Sequence, residues 1–167
     1  FINRPTESLI GLFGVTQDAT IEKINIKNAN ITGSTNVGAI AGRSITSTLK
    51  NISVTGNVNS TSTTQLTRTG GVIGYVAVGN TQLSQISFDG SVTSNGGAVG
   101  GIVGVLDGGT ITDSFTKGIV TGAHNYAGGI TSYVNWTSSI QNTYSIASVT
   151  GRKYVGGLVG TIDKEGP

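Results

Sequence analysis

Aliphatic residues recur along the chain at a nearly constant interval. Six glycine-containing blocks carry an aliphatic residue at their fourth position and occupy residues 9–14, 37–42, 69–74, 99–104, 127–132 and 155–160. The last residues of successive blocks are 28, 32, 30, 28 and 28 positions apart. A period of roughly 20 to 50 residues is typical of solenoids and other repeat architectures. The pattern therefore predicts a stack of similar structural units.

Two further apolar segments follow each block except the last. The longer segment occupies residues 21–28, 49–56, 83–90, 111–118 and 140–147, and the shorter one is centred on Ile31, Val58, Val92, Val120 and Val149. Three short strands separated by Gly, Asn and Ser corners describe one coil of a three-sided solenoid. We therefore predict an all-β, right-handed, three-sided β-solenoid (β-helix) of five to six coils, with about 29 residues per coil, over residues 1–167.

Three apolar columns are expected to form the core, because coils that stack must place equivalent side chains above one another. The first is Leu12, Ile40, Val72, Ile102, Ile130 and Leu158, the second is Ile21, Leu49, Leu83, Ile111 and Ile140, and the third contains the centres of the shorter segments. The column next to the first one is Phe13, Ala41, Ile73, Val103, Thr131 and Val159. It faces outward if the strand has one buried side and inward if both sides are covered, and we favour burial.

Polar residues also form a column in the longer segments, at Lys23, Asn51, Gln85, Asp113 and Asn142. This column indicates an outward face or a corner. Ser114 and Thr143 occupy places that isoleucines fill in earlier repeats, and the aromatic residue moves from Phe88 to the neighbouring column as Phe115 and Tyr144. We therefore expect the interior to narrow or repack toward the C-terminus.

Composition excludes several classes of function. Only 11% of the residues are charged and the net charge is +2, which is too weak and too scattered for a nucleic-acid or anionic-membrane footprint. The absence of cysteine excludes disulfides and thiolate metal sites. No apolar run approaches the roughly 20 residues that a membrane-spanning helix needs. Partners are therefore expected to be proteins or glycans.

Residues typical of catalysis are sparse. His124 is the only histidine, and it lies in a predicted turn, while the eight acids are dispersed along the chain. General bases need an orienting partner and metal ions need several donors. We therefore expect no enzymatic activity, no cofactor and no metal site.

Aromatic residues concentrate in the fifth repeat and suggest a binding face. Tyr126, Tyr133 and Trp136 lie close together in the sequence, and Tyr154 follows Arg152. Amphipathic rings in exposed loops suit stacking on a glycan or protein. The alternative is that these rings only cover the side of the solenoid. The insertion at residues 60–68 is a second candidate binding loop, with a flexible Ser/Thr linker as its alternative.

The blocks GLFG, VGGIVG and VGGLVG, with the run TITDSFTKGIVTG at residues 110–122, resemble the GLUG-repeat family. The resemblance spans nearly the whole chain and departs in the blocks GAIAG and GGITS. It implies bacterial secreted or wall-attached proteins, including adhesins and the non-catalytic N-terminal regions of zinc metallopeptidases that cleave immunoglobulin A. Those enzymes carry their metal in a His-Glu-x-x-His motif that this sequence lacks.

We therefore predict a repeat region excised from a longer extracellular protein, with further repeats or domains on both sides. Its expected role is that of a rigid stalk of an adhesin, with a face for a cell-surface glycan or protein. The first alternative is a substrate-handling region of a secreted metalloprotease. A polysaccharide-degrading β-helix would need acids or bases clustered along a groove, and an ice-binding protein would need regular threonine columns.

Overall fold

The computed structural model describes residues 1–135 and 137–163, which are built from strands and turns. The strands are β1 (Ile2–Asn3), β2 (Phe13–Gln17), β3 (Thr20–Gly33), β4 (Ala41–Ile45), β5 (Thr48–Ser60), β6 (Arg68–Gly70), β7 (Ile73–Val76), β8 (Thr81–Ser94), β9 (Ala98–Gly100), β10 (Val103–Leu106), β11 (Gly109–Thr112), β12 (Phe115–Gly122), β13 (Tyr126–Gly128), β14 (Thr131–Asn135), β15 (Ser139–Gln141), β16 (Tyr144–Thr150), β17 (Tyr154–Gly156) and β18 (Val159–Asp163).

These strands form three parallel sheets. The long sheet contains β1, β3, β5, β8, β11 and β15 in that order, with β12 and β16 continuing it beside β8. The six-stranded sheet contains β2, β4, β7, β10, β14 and β18, and the short sheet contains β6, β9, β13 and β17. The chain visits the three sheets in turn and makes a β-solenoid of about six turns with about 28 residues per turn. The predicted fold class is confirmed, and the handedness of the coil stays a prediction.

The strand register reproduces the repeat. Ala41 pairs with both Phe13 and Ile73, and the ladder continues through Val103 and Thr131 to Val159. Paired residues are as far apart in the sequence as the glycine blocks are, because each of them holds the same place in its block. Backbone pairing therefore fixes one repeat directly above the next.

The predicted ladders form the core of the central coils. Ile40, Val72, Ile102 and Ile130 have no exposed surface, and the second and third ladders are buried beside them. Leu12 is 52% exposed, since the first coil packs against only one neighbour. In the first ladder, complete burial is therefore found where a coil packs on both sides.

One prediction about the blocks is wrong. The repeat pattern predicts one strand in each block, but the chain turns a corner inside the block: β9 ends at Gly100 and β10 begins at Val103. Because of this corner, the adjacent residues Ile102 and Val103 both point into the core and both are fully buried. The favoured burial of the column next to the first ladder is therefore confirmed in the central coils, through a corner rather than through a strand covered on two sides.

A second correction concerns the longer and shorter segments. The pattern predicts a separate strand for each segment, but β3, β5 and β8 each run through both segments. The chain bends at the polar column, which lies within β3, β5 and β8 and between the shorter strands of the later coils. The φ angles of its five members are between 50° and 57°, at Lys23, Asn51, Gln85, Asp113 and Asn142. A left-handed residue turns the chain while the ladder continues on either side of it. The polar column is therefore a corner.

The interior repacks toward the C-terminus as expected. Phe88 is buried inside the third coil of the long sheet, and Thr116 takes its register position in the next coil. Phe115 and Tyr144 instead stack outside the long sheet, with ring centroids 5.3 Å apart. The buried Ser114 hydroxyl donates a hydrogen bond to the Thr112 carbonyl, at 2.6 Å. Small polar side chains thus replace apolar bulk inside the later coils.

Candidate functional site

A groove runs along the outside of the solenoid between the short sheet and the six-stranded sheet. Its first wall is the first residue of each strand of the short sheet, and pairing aligns Arg68, Ala98, Tyr126 and Tyr154 in that order. Strand residues alternate between the two faces, and the residue that follows each of these contributes to the interior instead. The four side chains therefore form one outward column.

The second wall comes from the six-stranded sheet. Arg43, Tyr75, Val105 and Tyr133 are aligned there by the same parallel register. In each repeat the two wall positions are seven residues apart, on opposite sides of the glycine corner. The corner therefore turns two outward columns toward each other.

Glycine at the corner lets the two walls come close. A Cβ at Gly100 would overlap the carbonyl oxygen of Val103, and a Cβ at Gly104 would lie 2.7 Å from the backbone nitrogen of Thr69. Such distances are too short for any side chain beyond hydrogen. As a result Ala98, Val105 and Tyr133 form a small apolar cluster outside the main core, with Tyr75 and Tyr126 packed against it.

The groove deepens into a cavity of about 280 Å³ at the fourth coil, which we call the slot. Ala98 and Val105 form its floor because they are the small members of their columns. Tyr126 and Tyr133 stand on one side, and Arg68 on the other. Gln65, Leu66 and Thr67, from the insertion predicted as a binding loop, line its rim.

Hydrogen bonds hold this insertion over the slot. The backbone nitrogen of Gly97 donates to the carbonyl of Thr64 at 2.9 Å, and that of Ala98 donates to the carbonyl of Thr67 at 2.8 Å. The Thr67 hydroxyl also donates to the hydroxyl of Ser62 at 2.9 Å. Leu66 remains 72% exposed at the rim. The insertion is therefore tied to the strand that forms the floor.

Two arginines and a tyrosine form the other end of the groove. The Arg68 guanidinium lies 4.2 Å from the centroid of the Tyr75 ring, and that of Arg43 lies 5.7 Å from it. The Tyr75 hydroxyl donates a 2.8 Å hydrogen bond to Asp107, which also accepts one from the side-chain amide of Asn135. Burial raises the pKa of Tyr75, and the hydrogen bond and charge of Asp107 raise it further, against a smaller lowering by the arginines.

Positive charge in this cluster is not neutralised by ion pairing. Within residues 1–135 and 137–163, neither Arg43 nor Arg68 has a carboxylate within 4.0 Å, and the ion pair in that part of the chain joins Lys117 to Asp89 on the long sheet. Among the described residues, Arg43 Nε is buried without a hydrogen-bond partner, and the Arg68 guanidinium donates to the carbonyl of Leu66, at 3.4 Å. The groove therefore presents cationic groups with hydrogen-bonding capacity to spare.

The structure brings together three of the five predicted site residues. Tyr126 and Tyr133 both line the slot, and Tyr154 stacks on Tyr126 with ring centroids 5.0 Å apart. Arg152 is exposed in the turn before β17, outside the slot lining. Trp136 lies outside the described residues. Their role in binding stays a prediction.

The expected location of the tyrosines in exposed loops is wrong. Tyr126, Tyr133 and Tyr154 all lie in strands, and Tyr133 is buried. These tyrosines hold outward positions of strands whose neighbouring positions belong to the aliphatic columns.

Sequence reasoning missed Arg43, Arg68 and Tyr75. Arg68 and Tyr75 occupy the same places in the third repeat that Tyr126 and Tyr133 occupy in the fifth. An alignment of the outward strand positions of all repeats places Arg68 with Tyr126 and Tyr75 with Tyr133. The density of aromatic residues in the sequence indicates the fifth repeat alone.

The described ranges offer neither a metal-binding cluster nor a membrane-spanning helix. They contain no group of three or more His, Cys, Asp or Glu residues placed to hold a metal ion. In the same ranges, no helix has the length and apolar character to span a bilayer.

Comparison with known proteins gives distant relatives. The chain is 28% identical over 162 residues to the immunoglobulin A1 protease of Streptococcus pneumoniae strain ATCC BAA-255 / R6, and 27% identical to that of Streptococcus sanguinis. Each match covers 89% of this chain but 8% of the relative. Halomucin of Haloquadratum walsbyi is 36% identical over 95 residues, which cover 56% of this chain and 1% of that protein.

No protein-family model matches the chain, and no solved structure matches it. The GLUG resemblance therefore stays a prediction. The chain is a β-solenoid that is distantly related to short regions of immunoglobulin A1 proteases and halomucin, and it spans less than a tenth of the length of those relatives.

Proposed function

We propose that this chain is a non-catalytic, GLUG-type β-solenoid region of a secreted or surface-displayed protein, and that it acts as a rigid spacer with one recognition groove. The observation that carries the proposal is the groove itself. It gathers arginines and tyrosines from four coils on one side of the molecule, around a coil that contributes Ala98 and Val105. Its charge and aromatic surface are what binding interfaces use.

The spacer role is supported by how the coils are built. Each central coil buries its ladders against two neighbours, and each added coil lengthens the solenoid by one strand spacing, about 4.8 Å. Apolar side chains remain exposed on both terminal coils, including Leu12 at 52% and Leu158 at 37%. Further coils or a capping domain of a longer parent would cover them. We propose flanking repeats for this reason.

The recognition role fits a glycan or protein on a cell surface. The slot offers tyrosine rings and an arginine, which suit stacking and hydrogen bonding with such a partner. The match to immunoglobulin A1 proteases over 89% of the chain favours a second candidate function. In that case the groove would hold a protein substrate for a catalytic domain elsewhere in the parent.

A binding experiment tests the recognition role. Labelled protein would be applied to a glycan array and, separately, to immobilised immunoglobulin A1, alongside Tyr126→Ala and the matched surface variant Lys50→Ala. We expect glycan binding that Tyr126→Ala removes and Lys50→Ala retains, since Lys50 is exposed on the long sheet. Binding to the immunoglobulin alone would favour the substrate-handling function. No binding to either surface, or loss with both variants, would refute a recognition groove.

A further inference from the structure

We infer that the slot is a subsite for a single pyranose ring that carries a carboxylate, stacked on Tyr126 and held by Arg68. This inference deepens the proposed function and rests on it. It names the chemical class of the ligand and the two side chains that would contact it.

The first step is a vacancy in a stacked column. Tyr126 and Tyr154 are neighbours in register, and their rings stack at 5.0 Å with an interplanar angle of 10°. The next position along the column is Ala98, whose side chain ends at Cβ, and the one after it is Arg68. Two strand spacings, about 9.6 Å, therefore separate the places of Tyr126 and Arg68 along the column. That gap accommodates one flat ring.

The second step is the surface that such a ring would meet. One face of Tyr126 is covered by Tyr154, and its other face is toward the vacant position above Ala98. Val105 extends the apolar floor, and Leu66 stands at the rim. The C–H face of a sugar ring suits a tyrosine face and an aliphatic floor, while its hydroxyl groups would point toward the open rim beside Gln65.

The third step is charge. Of the described residues that line the slot, Arg68 is the charged one and none is an acid. Asp107, the nearby carboxylate, already accepts hydrogen bonds from Tyr75 and Asn135. A guanidinium without a carboxylate partner favours a ligand carboxylate, which it binds through two parallel hydrogen bonds.

The size of the slot limits the occupant to one sugar residue. A cavity of about 280 Å³ is at the small end of ligand sites. The carboxylate-bearing sugar could be a uronic acid within a polymer or a sialic acid at a glycan terminus. Both present the same chemistry to Tyr126 and Arg68, and the experiment separates them.

The test is titration of the isotope-labelled protein, followed by amide NMR spectra. The probes are methyl β-glucuronide, the methyl glycoside of N-acetylneuraminic acid, neutral methyl β-glucoside and phenylacetate. We expect one or both acidic sugars to bind at least tenfold more tightly than the neutral sugar, with shifts at Ala98 and Tyr126. Whichever acidic sugar binds more tightly identifies the source.

Three variants test the contacts. Arg68→Gln should bring acidic-sugar binding down to the level of the neutral sugar, and Lys50→Ala, which removes the same charge on the long sheet, should leave it unchanged. Ala98→Tyr would continue the tyrosine column into the slot, and it should abolish binding while the melting temperature is maintained. That preserved melting temperature separates a filled slot from a misfolded one.

Several outcomes would overturn the inference. Equal affinity for acidic and neutral sugars would remove the role of Arg68, and tighter binding of phenylacetate would indicate an aromatic side chain of an acidic peptide instead. If no probe binds while array binding still depends on Tyr126, the subsite fails and the recognition groove survives. If array binding fails as well, both fail.

Discussion

Alanine at Gly129 and alanine at Gly157 should have opposite effects, although both glycines hold the same place in the repeat. Gly71, Gly101, Gly129 and Gly157 form one column at the corner of the blocks. A Cβ at Gly129 would overlap the carbonyl oxygen of Gly157 and the hydroxyl of Ser145, whereas a Cβ at Gly157 meets nothing within 4 Å. The difference arises because the following coil packs on Gly129, whereas no part of residues 1–135 and 137–163 packs on a Cβ at Gly157.

The expected magnitudes follow from the two environments. Overpacking costs about 1–3 kcal/mol, so Gly129→Ala should lower the free energy of unfolding by at least that amount. Gly157 does not have a left-handed φ, so alanine there should stabilise the chain by about 0.4–1 kcal/mol through the unfolded state. At roughly 2–4 °C per kcal/mol for a chain of this size, Gly129→Ala should melt about 2–12 °C lower and Gly157→Ala about 1–4 °C higher.

Thermal unfolding followed by circular dichroism measures both variants against the unchanged protein. A denaturant titration at one temperature supplies the free energies independently. Equal melting temperatures for the two variants would refute the reasoning, because the argument assigns the cost to the neighbouring coil and not to glycine itself.

Two further predictions concern a corner and a buried hydroxyl. Gln85→Gly should be neutral or stabilising by up to about 1 kcal/mol, since φ at Gln85 is 57°, whereas Ser84→Gly in the adjoining strand should cost about 0.5–1 kcal/mol; denaturant titration distinguishes them. The pKa of Tyr75 is raised, so the native state holds this proton more tightly than the unfolded state does, and stability should fall as pH rises past about 10. In Tyr75→Phe, the free energy of unfolding should decrease less between about pH 9 and 11, which is about one unit on either side of the free tyrosine pKa. Denaturant unfolding at each pH measures this free energy. An unchanged pH dependence would contradict the environment described for Tyr75.

The stacked coil was predictable because an inward column imposes the same residue type at every repeat. Ile40, Val72, Ile102 and Ile130 are interchangeable in size and polarity, and they lie above one another in the structure. The spacing of the blocks gave the strand register directly, including the longer third interval that the insertion at residues 60–68 creates.

The corners were harder to place. In a straight strand, adjacent residues point to opposite faces, so Ile102 and Val103 are predicted on opposite sides. The corner between them places both side chains in the core. Gln85 has a left-handed φ, and so do Lys23 and Asp113 at the same place in other repeats. Since three different residue types adopt this conformation, the residue type at Gln85 does not predict it.

The groove was predictable only in part. Tyr126 and Tyr133 stood out by aromatic density, whereas the slot exists because Ala98 is small between Arg68 and Tyr126. A small apolar residue such as Ala98 gives no indication of a binding site in the sequence. Only the strand register shows that Ala98 lies between Arg68 and Tyr126 and leaves space there.

The central claim is that equivalent positions of successive repeats lie one above the other. Methyl-labelled protein and nuclear Overhauser spectra test it most directly at Ile102. The backbone of Ile102 is hydrogen-bonded to Val72 on one side, at 3.0 Å, and to Ile130 on the other, at 2.9 Å. We expect cross-peaks from the Ile102 methyl groups to both Val72 and Ile130, at about one strand spacing. The absence of either contact, with cross-peaks to residues outside this column instead, would contradict the account.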